Sequence, residues 1–312
     1  MSVNRTSLMK LNRTAYPQVS PVNGFEEADA RQLRFSMGNG FILNSILDSA
    51  DPLLHLASLV DELQSDDRLL FSREALMKEI PHRLSEIADL AEAVGLGHVE
   101  ILLFVRDPLE HAYSLYGQMV KAHGCIESIV EWLPKYNLND ALESFLEAVS
   151  ADPRCHLTVH NYSRAPAAIF GQAAEWLALP NGSQTLTVEP GIHVNRSLQL
   201  DELRLMLLLN RHLGRRASAI GRLLVESTPA PGDLPSQVPP EAQDIFICRM
   251  EASVARINAR LPEPAHLRLQ RLPCNLTGLD QAGHSLSEQS LKLTTRQLEV
   301  VVEGLLHCHA DV

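Results

Sequence analysis

Arg106 and Ser114, eight positions apart, are residue types that together could hold a phosphate. A guanidinium is a permanent cation with a planar fork of donors, and a serine hydroxyl adds a neutral donor. The chain between them changes hydrophobic period. Ile101-Leu102-Leu103-Phe104-Val105 reads as a buried strand, and Asp107-Pro108 reads as a helix start. There the Asp107 carboxylate can accept from first-turn amides, and proline is already set near helical φ. Leu109, Ala112, Tyr113, Tyr116, Met119 and Val120 then recur at three- and four-residue spacing up to His123-Gly124, where glycine can close a helix. Arg106 thus falls at the carboxyl end of a strand, where open α/β sheets bind ligands, and Ser114 falls about two turns into the helix, off its main apolar stripe. The alternative for Arg106 is an ion pair with Asp107 or Glu110.

The flanking chain predicts the elements that position this pair. Phe41 to Leu47 and Leu53 to Leu63 read as helices, Arg68 to Ser72 as a short strand running directly into a helix at Arg73, and Leu84 to Val94 as a helix ended by glycine. Ile126 to Leu133 and Leu138 to Val149 are amphipathic, Cys155 to Tyr162 is a strand candidate, and Ala165-Pro166 opens another helix. Strands alternating with helices from 68 to 180 predict an α/β fold with a central parallel sheet covered on both faces. Residues 1 to 40 are turn-rich, with a short helix around Glu26 to Leu33 and no strong strand. A helix opens near Ser197, its expected cap. The expected organisation is an α/β domain over 1–228, a proline-rich linker over 229–240, and a helical segment over 241–312 with helices at Glu241 to Leu261 and Leu286 to Leu306.

Composition bounds the function. The 312 residues suffice for a sizeable core, and a net charge of −11 argues against a general nucleic-acid or anionic-membrane binder. Five cysteines without a C-x-x-C pair predict neither a disulfide framework nor a zinc knuckle. His307-Cys308-His309 is read as part of a frayed tail, and no metal site is expected. No apolar run approaches membrane-spanning length, so the expectation is a cytoplasmic protein.

An Arg at a strand end, a Pro two positions on and a Ser eight positions after the Arg resemble the 3′-phosphate-binding motif of sulfotransferases that use 3′-phosphoadenosine 5′-phosphosulfate (PAPS). The resemblance implies that Arg106 and Ser114 hold the 3′-phosphate of PAPS. Leu69-Leu70-Phe71-Ser72-Arg73-Glu74 resembles the second strand of bacterial members, which implies Glu74 as a candidate general base for the acceptor hydroxyl; a first-turn Glu stabilised by the helix dipole is the alternative. Tyr162 matches the position of a tyrosine beside the adenine ring, against the alternative of a core-edge tyrosine. Asn195, Arg196 and Ser197 could add donors to the phosphate at a helix N-terminus, against an ordinary cap.

The resemblance covers about residues 8 to 215 and begins one strand late. Sulfotransferases of this type have a first strand and a Lys-Thr-Gly-Thr-Thr loop around the 5′-phosphosulfate, whereas the first 40 residues here hold one lysine, Lys10, with no glycine near it. A P-loop-type three-layer fold lacking its central first strand would leave backbone groups unpaired. Truncation of the chain, a strand borrowed from a second copy in a homodimer or from a partner, and a remodelled inactive relative are the three explanations, with truncation the expectation. The resemblance implies transfer of a sulfuryl group from PAPS to a hydroxyl or amine of a carbohydrate or small metabolite, with activity impaired by the missing loop. The alternative is a non-enzymatic nucleotide-binding or protein-interaction module.

Overall fold

A computed structural model describes residues 9, 13–17, 38–61, 63, 67–179, 197–227, 238–273 and 291–310. The chain is α/β and mostly helical, with two small parallel sheets. In chain order the strands are β1 (Thr14–Ala15), β2 (Arg68–Leu69), β3 (Val99–Val105) and β4 (Cys155–Asn161). The helices are α1 (Gly40–Leu47), α2 (Pro52–Val60), α3 (Leu76–Glu79), α4 (Leu84–Ala93), α5 (Pro108–His123), α6 (Ile129–Trp132), α7 (Leu138–Ala151), α8 (Ile169–Trp176), α9 (Leu200–Leu213), α10 (Ser218–Ser227), α11 (Pro240–Asn258) and α12 (Thr295–Ala310). Among the described residues no helix is long and apolar enough to cross a membrane.

Two compact units form, neither contiguous in sequence. Unit 1 gathers the described residues of Met1–Arg106, Asn137–Ile192 and Ser253–Leu267; unit 2 gathers those of Asp107–Tyr136, His193–Ala252 and Arg268–Val312.

In unit 1, β3 and β4 pair in parallel over seven residues, from Val99 opposite Cys155 to Val105 opposite Asn161. Parallel neighbours need a crossover rather than a tight turn, and residues 106–154 supply it. One face of the pair carries Val99, Ile101, Leu103 and Leu157 into a core with Leu43 and Leu47 of α1, Leu84 and Ala88 of α4, and Phe145 and Val149 of α7. Apolar residues at three- and four-residue spacing on these helices make that core with alternate residues of the strands, as the helical periodicity predicts, whereas Ile101 to Phe104, expected in a buried strand, are only half-buried.

The single sheet expected from the sequence divides in two. β2 pairs with β1, in parallel, with Thr14 opposite Arg68 and Ala15 opposite Leu69, so the first 40 residues do contain a strand. The strand expected over 68–72 stops at Leu69 because other groups use the backbone beyond it. The Asn39 side chain, fully enclosed, donates to the Leu70 carbonyl at 2.9 Å and accepts from the Ser72 amide at 2.7 Å, and the Gly40 amide takes the Ser72 carbonyl at 3.2 Å. The close approach needs glycine: Gly38 has φ 72, and a Cβ there would lie 1.8 Å from the Ser72 oxygen. Tyr16, Leu70, Ala174, Leu177 and Leu179 form a second small core beside this sheet.

Unit 2 is helical. α5 buries Leu109, Ala112, Tyr116 and Val120, and α10 crosses it so closely that a Cβ on Gly221 would sit 2.8 Å from the Lys121 carbonyl oxygen. Gly124 closes α5 in the left-handed conformation, φ 72, as expected. Three local expectations change. Asp107 precedes α5 but its side chain does not cap it; its Oδ1 accepts the Arg268 amide at 3.0 Å. α9 starts after Gln199, not Ser197, with the Glu202 carboxylate accepting the Gln199 amide at 2.8 Å. α12 starts at Thr295, and of the helix expected over 286–306 residues 291–294 are not helical while 286–290 lie outside the described residues; Thr294 and Gln297 cap each other, with Gln297 Oε1 accepting the Thr294 amide at 2.8 Å and Thr294 Oγ1 accepting the Gln297 amide at 3.2 Å. The backbone of His307-Cys308-His309 lies in this helix and not in a frayed tail. The helix expected at 26–33 and most of the proline-rich stretch, 228–237, lie outside the described residues.

Candidate functional site

Among the described residues, the second face of the β3–β4 pair meets no such core. Along it, cross-strand partners run Glu100 with His156, Leu102 with Thr158 and Phe104 with His160, all half-buried or exposed. The Phe104 and His160 rings stack with centroids 5.8 Å apart. One step further, past the ends of both strands, Arg106 lies over the ring of Tyr162, its guanidinium carbon 5.1 Å from the centroid. That is inside cation–π range, an attraction of about 0.5–2 kcal/mol depending on hydration. The Tyr162 amide donates to the Val105 carbonyl at 2.7 Å, which continues the ladder by one bond and fixes the ring beside the arginine.

A turn then folds the chain back. Asn161, 3% exposed, accepts the Ser163 amide at 2.9 Å through Oδ1 and donates through Nδ2 to the His266 carbonyl, also at 2.9 Å. The Arg164 amide closes the turn on the Asn161 carbonyl at 3.1 Å. Arg164 Nη2 donates to the same His266 carbonyl at 2.7 Å, while its Nε and Nη1, both buried, find no partner among the described residues. His266 is held in turn: its Nε2 lies 3.0 Å from the Leu261 carbonyl oxygen, and the Asn258 side chain brackets Leu267 with two bonds of 2.8 and 2.9 Å. Buried donors without acceptors cost about 1–3 kcal/mol, more when charged.

Two of the residues expected at a site therefore come together here, Arg106 and Tyr162. Arg164 is a second cationic group that the sequence reading did not single out; nothing local marks it, because its burial is made by residues 263–267, about a hundred positions away. Ser114 belongs to unit 2, half-buried on α5 and off the buried stripe, as its spacing predicts. That helix is anchored by aromatic packing instead: Tyr136 Oη lies 3.2 Å from His111 Nδ1, Tyr116 Oη donates to the Glu127 carbonyl at 2.9 Å, and burial pushes both phenols above their ordinary range. Glu74 does not sit in the first turn of a helix. It occupies an exposed turn, and α3 begins two residues later. Beside it Arg73 is drawn to Glu79 at 2.8 Å and over the Phe41 ring at 3.9 Å. Arg196 and Asn195 lie outside the described residues.

What the fold and this geometry define is an α/β protein with an arginine held on a tyrosine, and a second arginine with two donors that no described residue accepts, at the carboxyl ends of two parallel strands. No family model, no curated protein and no solved structure matches the chain.

Proposed function

We propose that the protein is sulfotransferase-like and that the carboxyl end of β3 and β4 binds the phosphate-bearing end of an adenine nucleotide such as PAPS. The observation that carries this reading is Arg106 held against Tyr162 just past the strand ends. A guanidinium stacked on a ring has lost rotamer freedom before a ligand arrives, so less entropy is lost per phosphate contact. Arg106 would hold the 3′-phosphate, Tyr162 would flank the adenine, and the donors of Arg164 that no described residue accepts would take a further phosphate oxygen. The finer fold proposed with it is a P-loop-type three-layer arrangement.

In the reaction that follows from this reading, PAPS is the co-substrate and supplies the sulfuryl group. A hydroxyl or amine of a carbohydrate or small metabolite attacks the sulfur in line and the phosphate oxygen leaves, with positioning and charge stabilisation as the main sources of rate. Glu74, exposed and therefore open to an acceptor, would take the acceptor's proton. Turnover is expected to be weak.

Calorimetric titration with 3′-phosphoadenosine 5′-phosphate tests the binding step without needing the acceptor. Saturable binding by the wild-type chain and its loss in Arg106→Ala are expected; absence of binding by a cooperatively folded wild type sinks the reading. A second reading, a protein-interaction module, is favoured by Leu298, Val302 and Leu306 on α12, which recur every four residues and are 50%, 56% and 67% exposed.

A further inference from the structure

At the other end of the same strand pair, His98, Glu100 and His156 bring two imidazoles and a carboxylate to one point. We propose that they form a binding site for a divalent transition-metal ion of the borderline class, such as Zn2+.

The placement follows from strand geometry. His98 and Glu100 are two residues apart, so they share a face, and Glu100 stands opposite His156 in the parallel register. Glu100 Oε1 lies 2.9 Å from His98 Nε2 and 3.1 Å from His156 Nδ1. The two rings stack with centroids 5.0 Å apart and planes 27° apart. One ligand atom from each residue lies within 4.8 Å of the others. Around a tetrahedral zinc with bonds of about 2.0–2.2 Å, ligand atoms stand roughly 3.3 Å apart. Small side-chain rotations on a fixed backbone close that gap.

The chemistry selects the ion. Imidazole with carboxylate suits Zn2+, Cu2+, Ni2+ and Co2+ better than the harder Mg2+ and Ca2+. A single carboxylate oxygen faces a nitrogen of each ring, so one cation placed there meets all three residues at once. Arg154, just before β4, adds little opposing charge, since Asp152 and Asp89 hold it at 2.7 Å and Glu92 at 3.1 Å. All three ligand residues are about half exposed, at 51%, 46% and 55% of their side chains, so water can fill the remaining coordination positions.

The site does not depend on the nucleotide reading. Its test is calorimetric titration of the metal-free full chain with zinc chloride near neutral pH. One saturable site per chain at micromolar zinc is expected, weakened at least about tenfold in His98→Ala and in His156→Ala. Co2+ should give a visible absorption band that the same two substitutions abolish. The variant His307→Ala/His309→Ala, which removes two histidines elsewhere in the sequence, should keep the site. Because the substituted positions are exposed, the melting temperature of the metal-free variants should match wild type, and zinc should raise only that of chains that keep all three ligands. No saturable uptake by folded wild type, uptake unchanged in His98→Ala and His156→Ala, or uptake lost with His307 and His309 would overturn the proposal.

Discussion

The two ends of the β3–β4 pair share a scaffold and differ in how their polar groups are satisfied. At the amino end, Arg154 is ringed by Asp152, Asp89 and Glu92, and Glu100 faces two histidines. At the carboxyl end, Arg164 keeps two buried donors that no described residue accepts. Both ends place side chains by the same period of two and the same parallel register. What differs is access and balance: the amino end is exposed and internally paired, whereas the carboxyl end is folded under Glu263–Leu267 with excess cationic donors. A half-buried cation short of acceptors is costly in the free protein and useful when an anion arrives, so stability and binding should respond in opposite directions there.

Substitutions can break that comparison. The largest effect is expected for Arg106→Ala, which should weaken binding of 3′-phosphoadenosine 5′-phosphate about 100-fold by calorimetry, as removal of one partner of a charge pair does; His156→Ala should leave that affinity unchanged. Next, Asn161→Ala removes a buried side chain that ties β4 to residue 266. Urea unfolding should show a loss of about 2 kcal/mol. Arg164→Met keeps the length of the side chain and removes the orphan donors. It should stabilise the ligand-free chain by about 1 kcal/mol while weakening nucleotide binding. A fall in stability would mean that the guanidinium is well satisfied and that the two ends do not differ.

The smallest effect concerns pH at the amino end. The Arg154 side chain, aided by its amide, holds the Asp152 carboxyl down from its ordinary 3.8 to about 2. A lowered carboxyl contributes stability that is present above pH 3.8 and lost as pH falls toward 2. Urea midpoints measured across this window should fall with acidification in wild type and be flatter in Asp152→Asn.

Much of this was legible along the chain. The change of period at Val105, the Asp107-Pro108 start and the Gly124 stop predict β3 and α5 to within a residue or two, since apolar spacing and terminal residues act locally. Parallel pairing as such followed from strands alternating with helices, though not which strands pair. Arg106 was legible as a candidate because it follows a strand, and Tyr162 only through the family resemblance. The division into two sheets was not, because β2 is cut short by Asn39 and Gly40, some thirty residues upstream. Nor was the cap of α12 by Thr294 and Gln297, which falls inside an apolar pattern that begins earlier.

Local spacing by itself therefore determined β3 and α5 and the strand-end position of Arg106. Only the tertiary structure decided which side chains meet. Register across β3 and β4 puts His156 beside Glu100 and Tyr162 beneath Arg106, and a segment a hundred residues downstream buries Arg164. Periodicity is a property of neighbours in the chain, whereas register and burial depend on distant segments and carry no local signature.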